Sequence, residues 1–293
     1  MATLFSVCIG LCYFSLAVSM FSLNALVFMA LLTKKDYRKS TYRVIINVNV
    51  SCMAQLFVLA CGGIMTMAQS NFNECLDKIL GAILSAGWFV YIGMTLVLAV
   101  DRLSIFVRSI SSCSSNATTI LMLLFWLLGL SIFVLFLCPG YGYTYKSEDL
   151  YYFWVYNNGE GSRQVERIEP YFDLTIFVTV FFIYIFVVAH IIKLKKSPNT
   201  QSSSFKTEKR MLVVATLSCT YEALFIVIAF WMPYDVLGAT ALCVILSFAW
   251  IVECGMVVLL TLIISSRLRR KVMDLLTSNK KVFVFSTANL NKW

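Results

Sequence analysis

The sequence is short of charge, proline and glycine, and these shortages argue against a soluble globular protein. Only 13% of its 293 residues are charged, whereas 60% are hydrophobic. Soluble domains are typically about 25% charged. A soluble core could not bury so much apolar surface, so lipid must cover the remainder. The 4 Pro and 13 Gly leave room for long uninterrupted helices.

Histidine is almost absent, which argues against metal and redox chemistry. His190 is the single histidine, and no Cys-x-x-Cys pair occurs among the 10 cysteines. Zinc and haem sites take their ligands from such groups, so we expect no metal site and no cofactor. An intramembrane enzyme needs a metal, or a nucleophile with a base, and we therefore expect no enzymatic activity.

The main feature of the sequence is a series of long apolar runs. About 20 apolar residues are needed for a helix to cross a bilayer, and the seven runs of this kind are 5–33, 44–68, 79–100, 118–138, 171–192, 211–232 and 239–264. No repeat or linker divides them. The sequence thus predicts an all-α integral membrane protein, a seven-helix bundle in a single domain 1–293, with a tail at 265–293.

The distribution of Lys and Arg predicts the orientation. Of the 24 basic residues, 20 lie in the segments that follow the first, third, fifth and seventh runs. Basic segments stay on the cytoplasmic side, so the amino terminus is expected outside and the carboxyl terminus inside. The net charge of +9 therefore comes from the cytoplasmic segments of a protein whose partner is the lipid bilayer. We expect no nucleic-acid partner, since no basic patch is interleaved with base-stacking aromatics.

Two acids lie within the apolar runs. Glu222 is in the sixth and Glu253 in the seventh. A charge at bilayer depth costs roughly 2.5–3.5 kcal/mol, so both should face the bundle interior or water. They either form a ligand or ion site together, or each is a neutral, hydrogen-bonded structural acid.

A polar stripe runs along the second predicted helix. Asn47, Ser51 and Gln55 are spaced four residues apart on one face, and Asn24 of the first helix is placed to meet them. Such contacts either hold helices together, at roughly 0.6–2 kcal/mol each, or form an internal network of water or ions.

The segment 139–170 between the fourth and fifth runs is rich in Tyr and Trp. It serves either as a lid over a ligand or as an aromatic belt that rests on lipid headgroups. At the other end of the chain, 267–276 combines four basic residues with apolar ones. This pattern predicts a short amphipathic helix on the inner leaflet.

Asp101-Arg102 closes the third run. Taken alone, the pair fits an Arg that extends its charged head to the interface. The surrounding segment Leu96–Leu103, however, resembles the Asp/Glu-Arg-Tyr motif of rhodopsin-like G-protein-coupled receptors. Asn24 resembles the helix 1 Asn of that family, and Trp126, 24 residues after Arg102, resembles its helix 4 Trp.

The resemblance is closest to the nematode serpentine chemoreceptors of the T and X classes. It rests on Val48–Leu56 in the second helix and on Cys254–Lys271 at the end of the seventh. Cys52 stands where the wider family has an Asp, and the seventh helix lacks Asn/Asp-Pro-x-x-Tyr. No Lys lies in 239–264, which excludes a retinal Schiff base.

The resemblance implies a receptor that binds a small extracellular ligand within the bundle and activates a heterotrimeric G protein. Asp101, Arg102 and Glu208 would form the activation switch, at the plasma membrane of a sensory neuron or its cilium. It also implies a disulfide at the outer end, for which Cys75 and Cys138 are the candidates. A small-solute transporter is the alternative, although inverted repeats and broken helices are not visible in the sequence.

The predicted orientation is tested with an epitope tag at each terminus in intact cells. An antibody should reach the amino-terminal tag directly and the carboxyl-terminal tag only after permeabilisation, because the basic segments remain inside. Two tags on the same face would contradict an odd number of spans.

Overall fold

In the described part of the chain, the fold consists of seven long helices, a short helix after the seventh and one hairpin. The computed structural model describes residues 4–32, 40–106, 111–146, 153–195, 203–232, 238–264, 268–275 and 277. The helices are α1 Leu4–Leu32, α2 Ser40–Ala68, α3 Glu74–Phe106, α4 Ser111–Leu137, α5 Glu160–Lys195, α6 Ser203–Trp231 and α7 Ala239–Ile264. All seven contain a window long and apolar enough to cross a membrane, so the predicted seven-span bundle is confirmed.

Several helices extend beyond the apolar runs that predicted them. The largest difference is at α5, which begins at Glu160 rather than at 171 and contains Pro170. The hydropathy pattern reports the length inside the hydrocarbon core, whereas a helix continues wherever its backbone hydrogen bonds can form. Proline inside such a helix is tolerated because neighbouring groups satisfy the freed carbonyl.

Helix α3 lies at the centre of the bundle and α4 at its edge. In the apolar window of α3, 83% of residues are buried, compared with 17% in α4. The α4 side chains Leu123, Leu127 and Leu130 are all more than half exposed. An apolar surface of this kind is expected where lipid is the solvent, so α3 supplies most of the groups that meet inside the protein.

Helices α1 and α2 approach each other through two glycines. A Cβ on Gly10 would lie 2.6 Å from the carbonyl oxygen of Gly63, and a Cβ on Gly63 would lie 2.8 Å from the backbone nitrogen of Phe14. Both distances are too short for any side chain. Small residues are used in this way where membrane helices pack with their backbones close together.

The segment between α4 and α5 contains a β-hairpin, which the all-α prediction did not include. Strand β1 (Tyr143–Lys146) pairs antiparallel with β2 (Phe153–Tyr156), and Tyr145 lies opposite Trp154. The alternating aromatic residues favour strands. The apolar runs gave no information on this segment because it does not cross the membrane. We refer to this side of the molecule as the hairpin end.

A short helix follows α7, as the amphipathic pattern predicts. Residues 268–275 are helical, and Leu268 and Val272 are buried against a cluster that includes Val27, Leu31 and Val258. Its apolar face thus packs on α1 and α7, at the end of the bundle opposite the hairpin.

The close approach of α1 and α2 predicts a selective effect of bulk. Gly10→Leu should lower the thermal stability of the detergent-purified protein by several degrees, because Leu cannot fit against the α2 backbone. Cys12→Leu is the matched control, since Cys12 is exposed on the same helix. Equal melting temperatures for the two variants would contradict the packing.

Candidate functional site

The hairpin closes one end of the bundle. Tyr145 and Trp154 are only 3% and 2% exposed. Both rings cover Gly62 of α2, where a Cβ would lie 3.1 Å from the Trp154 Nε1 atom and 3.2 Å from the Tyr145 ring. The Tyr145 and Thr66 hydroxyls share a hydrogen bond. These rings therefore pack into the protein rather than resting on lipid headgroups.

Asp77, in the first turn of α3, fastens the hairpin. Its Oδ1 atom accepts the Tyr145 backbone N–H at 3.1 Å, and its Oδ2 atom accepts the Thr144 hydroxyl. One turn further along α3, a Cβ on Gly81 would lie 1.7 Å from the Tyr143 carbonyl oxygen. The close approach of β1 to α3 therefore depends on Gly81, and the Asp77 carboxylate holds the hairpin in this position.

The second strand is tied to α5. Tyr156 donates its hydroxyl hydrogen to Glu169, whose side chain is 7% exposed. Burial, together with the neighbouring Glu169 carboxyl, raises the pKa of Tyr156 well above its ordinary value. The phenol therefore keeps its proton and acts as the donor.

A cavity of about 800 Å³ lies between the hairpin, α3, α5, α6 and α7. Small-molecule sites typically measure about 300–1,000 Å³. Trp88 of α3, Phe225 of α6 and Trp250 of α7 are the lining residues farthest from the hairpin end on their helices, and we call them the aromatic floor. Trp88 is 5.7 Å from Phe225 and 5.5 Å from Trp250 between ring centroids, with the rings edge to face.

Both indoles of the aromatic floor make hydrogen bonds away from the cavity. Trp88 Nε1 donates to Asp173 Oδ2 of α5 at 3.1 Å. Trp250 Nε1 donates to Gln55 Oε1 of α2 at 2.9 Å. Asp173 and Gln55 are fully buried. The floor is therefore joined directly to polar groups in the interior, and a shift of either ring would disturb them.

Beneath the floor, three helices bring three acids together. Glu222 lies one turn below Phe225 and accepts the Thr95 hydroxyl at 3.0 Å. Glu253 lies one turn below Trp250 and interacts electrostatically with Glu222 and Asp173. We call Asp173, Glu222 and Glu253 the acid cluster. Each is no more than 1% exposed.

The acid cluster is incompletely satisfied by the protein. Among the described residues, neither oxygen of Glu253 accepts a hydrogen bond, and one oxygen each of Glu222 and Asp173 also has no donor. Buried polar atoms normally have partners. Within the described ranges, no group of His, Cys, Asp and Glu side chains is arranged to hold a metal ion.

Comparison with known proteins assigns the family. A model described as "Serpentine type 7TM GPCR chemoreceptor Srt" matches residues 4–283. The chain belongs to the Srt family. The resemblance seen in the sequence motifs is thereby confirmed.

The Srt chain is also similar in structure to squid rhodopsin. The TM-score to that crystal structure is 0.74 at 13% sequence identity, over 92% of this chain and 84% of the rhodopsin chain. At this identity, the likeness concerns the fold alone. Among curated proteins, no significant match was found.

Asn24 of this Srt receptor meets a residue outside the predicted stripe. Its side-chain nitrogen donates to the carbonyls of Met20 and Cys254, at 2.8 and 3.4 Å, while its own backbone carbonyl accepts from Asn49 at 3.2 Å. Asn24 thus joins α1, α2 and α7.

The polar stripe on α2 divides between two neighbours. Asn47 accepts the Trp126 indole of α4 at 2.8 Å, and Ser51 donates within its own helix to Val48 at 2.8 Å. Only Gln55 reaches the acid-cluster side, through Trp250. The structure therefore brings Glu222 and Glu253 together but does not join Asn24, Asn47 and Ser51 to them.

Asp101 and Arg102 lie at the opposite end of the Srt bundle. Asp101 accepts the Thr41 hydroxyl at 2.5 Å, and Arg102 is only 1% exposed, which does not fit an Arg extended to the interface. Tyr184 of α5 interacts electrostatically with both residues. Glu208 lies in α6, and its side chain is outside the described residues.

The disulfide implied by the resemblance is not formed, because Cys75 and Cys138 are both exposed free thiols. They nevertheless occupy the same end of the bundle, since Lys78 donates to the Cys138 carbonyl at 3.2 Å. In this structure, hydrogen bonds from the hairpin to Asp77 connect it to α3 instead.

Several residues of the site were missed in the sequence. Asp173 falls inside the fifth apolar run, and the cost of a buried acid that singled out Glu222 applies to it equally. Trp88 and Trp250 carried no comparable signal, because an aromatic in an apolar run is usually core. In the sequence, Asp77 is an ordinary acid at the start of a helix. Its partners lie in the hairpin, which the sequence did not predict.

Asp77→Ala should loosen the hairpin. The loss of two hydrogen bonds to a buried carboxylate costs about 1–3 kcal/mol, so amide hydrogen exchange at 143–146 and 153–156 should accelerate by about tenfold. Glu74→Ala, an exposed acid in the same helical turn, is the matched control. Unchanged exchange in Asp77→Ala would show that the carboxylate does not hold the hairpin.

Proposed function

We propose that this G-protein-coupled receptor binds a small extracellular chemical in the 800 Å³ cavity and activates a heterotrimeric G protein from the opposite end. The observation that carries the proposal is the aromatic floor. Its indoles face the cavity on one side and donate to buried Asp173 and Gln55 on the other. Occupancy of the cavity can thus change the interior of the bundle.

The distribution of charge supports the orientation that this function needs. The segments that carry 20 of the 24 Lys and Arg join the helices at the end opposite the hairpin. The positive-inside rule then puts the cavity on the extracellular side and Arg102 on the cytoplasmic side. We propose that the receptor lies in the plasma membrane, including that of a sensory cilium.

A continuous set of buried groups connects the two ends. Trp88 donates to Asp173, and Asp173 interacts electrostatically with Glu222. Tyr184, 5% exposed, interacts with Glu222 on one side and with Asp101 and Arg102 on the other. A displacement of the floor is therefore coupled to the Asp101–Arg102 pair through one hydrogen bond and a series of electrostatic interactions between buried groups.

The ligand acts by preferring one of two arrangements of the bundle. A ligand shifts a conformational equilibrium only by its difference in affinity for the two states. Here Arg102 is buried and Asp101 accepts the Thr41 hydroxyl, and we assign this arrangement to the resting state. In the active state, Arg102 is released to contact the G protein. The resemblance also makes Glu208 of α6 part of this switch.

The proposal is tested in a reporter cell line screened with volatile and water-soluble compounds. For an active compound, Trp250→Ala should raise the half-maximal concentration by at least about tenfold, roughly 1.4 kcal/mol, because it removes part of the floor and its bond to Gln55. Phe182→Ala is the control, since Phe182 is 64% exposed on the outside of α5.

Arg102→Ala separates binding from signalling. The variant should reach the cell surface and bind the active compound, yet produce no G-protein response, because the proposed contact residue is gone. Full signalling by Arg102→Ala would refute its role. Labelled-solute uptake by purified protein in liposomes, without any G protein, would favour a transporter instead.

A further inference from the structure

Acidic side chains line one face of α5 from the cavity mouth to the bundle interior. Glu166, Glu169 and Asp173 are spaced three and four residues apart, so they share a helix face. Glu166 and Glu169 line the cavity. Glu169 interacts electrostatically with both other acids. Asp173 is the innermost of the three acids on α5 and lies behind Trp88. There it joins Glu222 and Glu253 in the acid cluster.

In the part of this region that the structure describes, the buried Asp, Glu, Lys and Arg side chains are all acids. Among the described residues, Arg102 is the only buried basic side chain, and it lies at the other end of the bundle. Lys146 and Arg163 also line the cavity, but both are exposed at its rim. Arg163 donates to the Asn158 carbonyl at 3.0 Å. Low-dielectric walls concentrate such a field, so the depth of the cavity favours a positive charge.

The aromatic floor suits the same charge. The faces of Trp, Tyr and Phe attract cations within about 6 Å of the ring centroid, and the cavity presents Trp88, Phe225, Trp250 and Phe153. Phe153 of the hairpin lies 6.3 Å from Trp250 between centroids. The Trp88 indole donates to a carboxylate, and this polarisation increases the electron density of its face.

The acid cluster gives an independent indication of the same chemistry. Glu253 is 1% exposed and interacts electrostatically with Glu222 and Asp173, yet neither of its oxygens accepts a hydrogen bond from a described residue. Buried carboxyl groups that interact in this way repel one another unless protons or a cation compensate them. A cation held directly above them at the floor lowers that repulsion.

We propose that the ligand is a small organic cation, a protonated amine. Its apolar body contacts the aromatic side chains, and its ammonium lies between the aromatic floor and the acidic face of α5, near Glu169 and in the field of Asp173. Alkylamines carry this charge at neutral pH, as the Lys side chain does. The inference rests on the proposed function, because it names the chemical class that the same cavity takes.

The test measures binding to the full-length receptor in nanodiscs by thermal shift and calorimetry. The probes are matched sets of straight-chain and phenylalkyl compounds that differ only in an amine, alcohol or carboxylate end group. The amines should bind at least about tenfold more tightly than the matched alcohols. The carboxylates should not bind. Alcohols or carboxylates that bind as tightly as the amines would overturn the inference.

Variants test whether the acids of α5 recognise the ammonium group. Asp173→Asn and Glu169→Gln should each weaken amine binding by about tenfold while the affinity for alcohols stays the same. Glu160→Gln, an exposed acid at the start of α5 outside the cavity lining, should change neither. Circular dichroism and the melting temperature without probe establish that each variant folds. Unchanged amine binding in both acid variants would overturn the inference.

The outcomes separate the inference from the proposed function. Neutral or anionic probes could bind as well as the amines and lose that binding in Trp250→Ala. This result would overturn the inference that the ligand is a cation and leave the cavity as the ligand site. An absence of binding by every probe class and of any cellular response would overturn both.

Discussion

The structure depends on the requirement that polar groups within the bilayer find partners inside the protein. Water is not available there, and lipid offers no hydrogen bonds. Helical backbones meet the requirement by themselves, so the seven apolar runs become seven helices. Polar side chains meet it by bonding to their own helix backbone or by turning inward, and α3, the most buried helix, presents Trp88 and Thr95 to acids on neighbouring helices. The interior of this receptor is consequently an apolar core in which a few polar groups are paired.

Carboxyl groups that accept hydrogen bonds also determine how the hairpin end is built. A disulfide would fix the connection between α4 and α5 covalently, but here Asp77 fixes it with a carboxylate that accepts two hydrogen bonds. Tyr156 does the same for α5 through Glu169. Hydrogen bonds of this kind hold the hairpin in place and can still open. Each of these bonds costs far less to break than a covalent link.

Family membership and fold do not determine the chemistry of the site, which depends on individual residues. Squid rhodopsin shares the architecture at 13% identity, yet the seventh helix of this chain has no Lys for a Schiff base and has Glu253 instead. Cys52 stands where the wider family has an Asp, while acids occur on α5, α6 and α7. One seven-helix scaffold can thus place its charges on different helices, and the ligand that each receptor accepts follows from that placement.

The sequence by itself determined the number of helices and the tail helix 268–275, because hydropathy and amphipathic periodicity are properties of each segment alone. It also singled out Glu222 and Glu253, since any acid at bilayer depth is costly. Only the tertiary structure decided that Asp173 joins them, that Asn24 meets Asn49 and that Trp88 and Trp250 form a cavity floor. Those facts depend on helix rotation and crossing angle, which arise from side-chain packing between segments distant in the chain and leave no local pattern in the sequence.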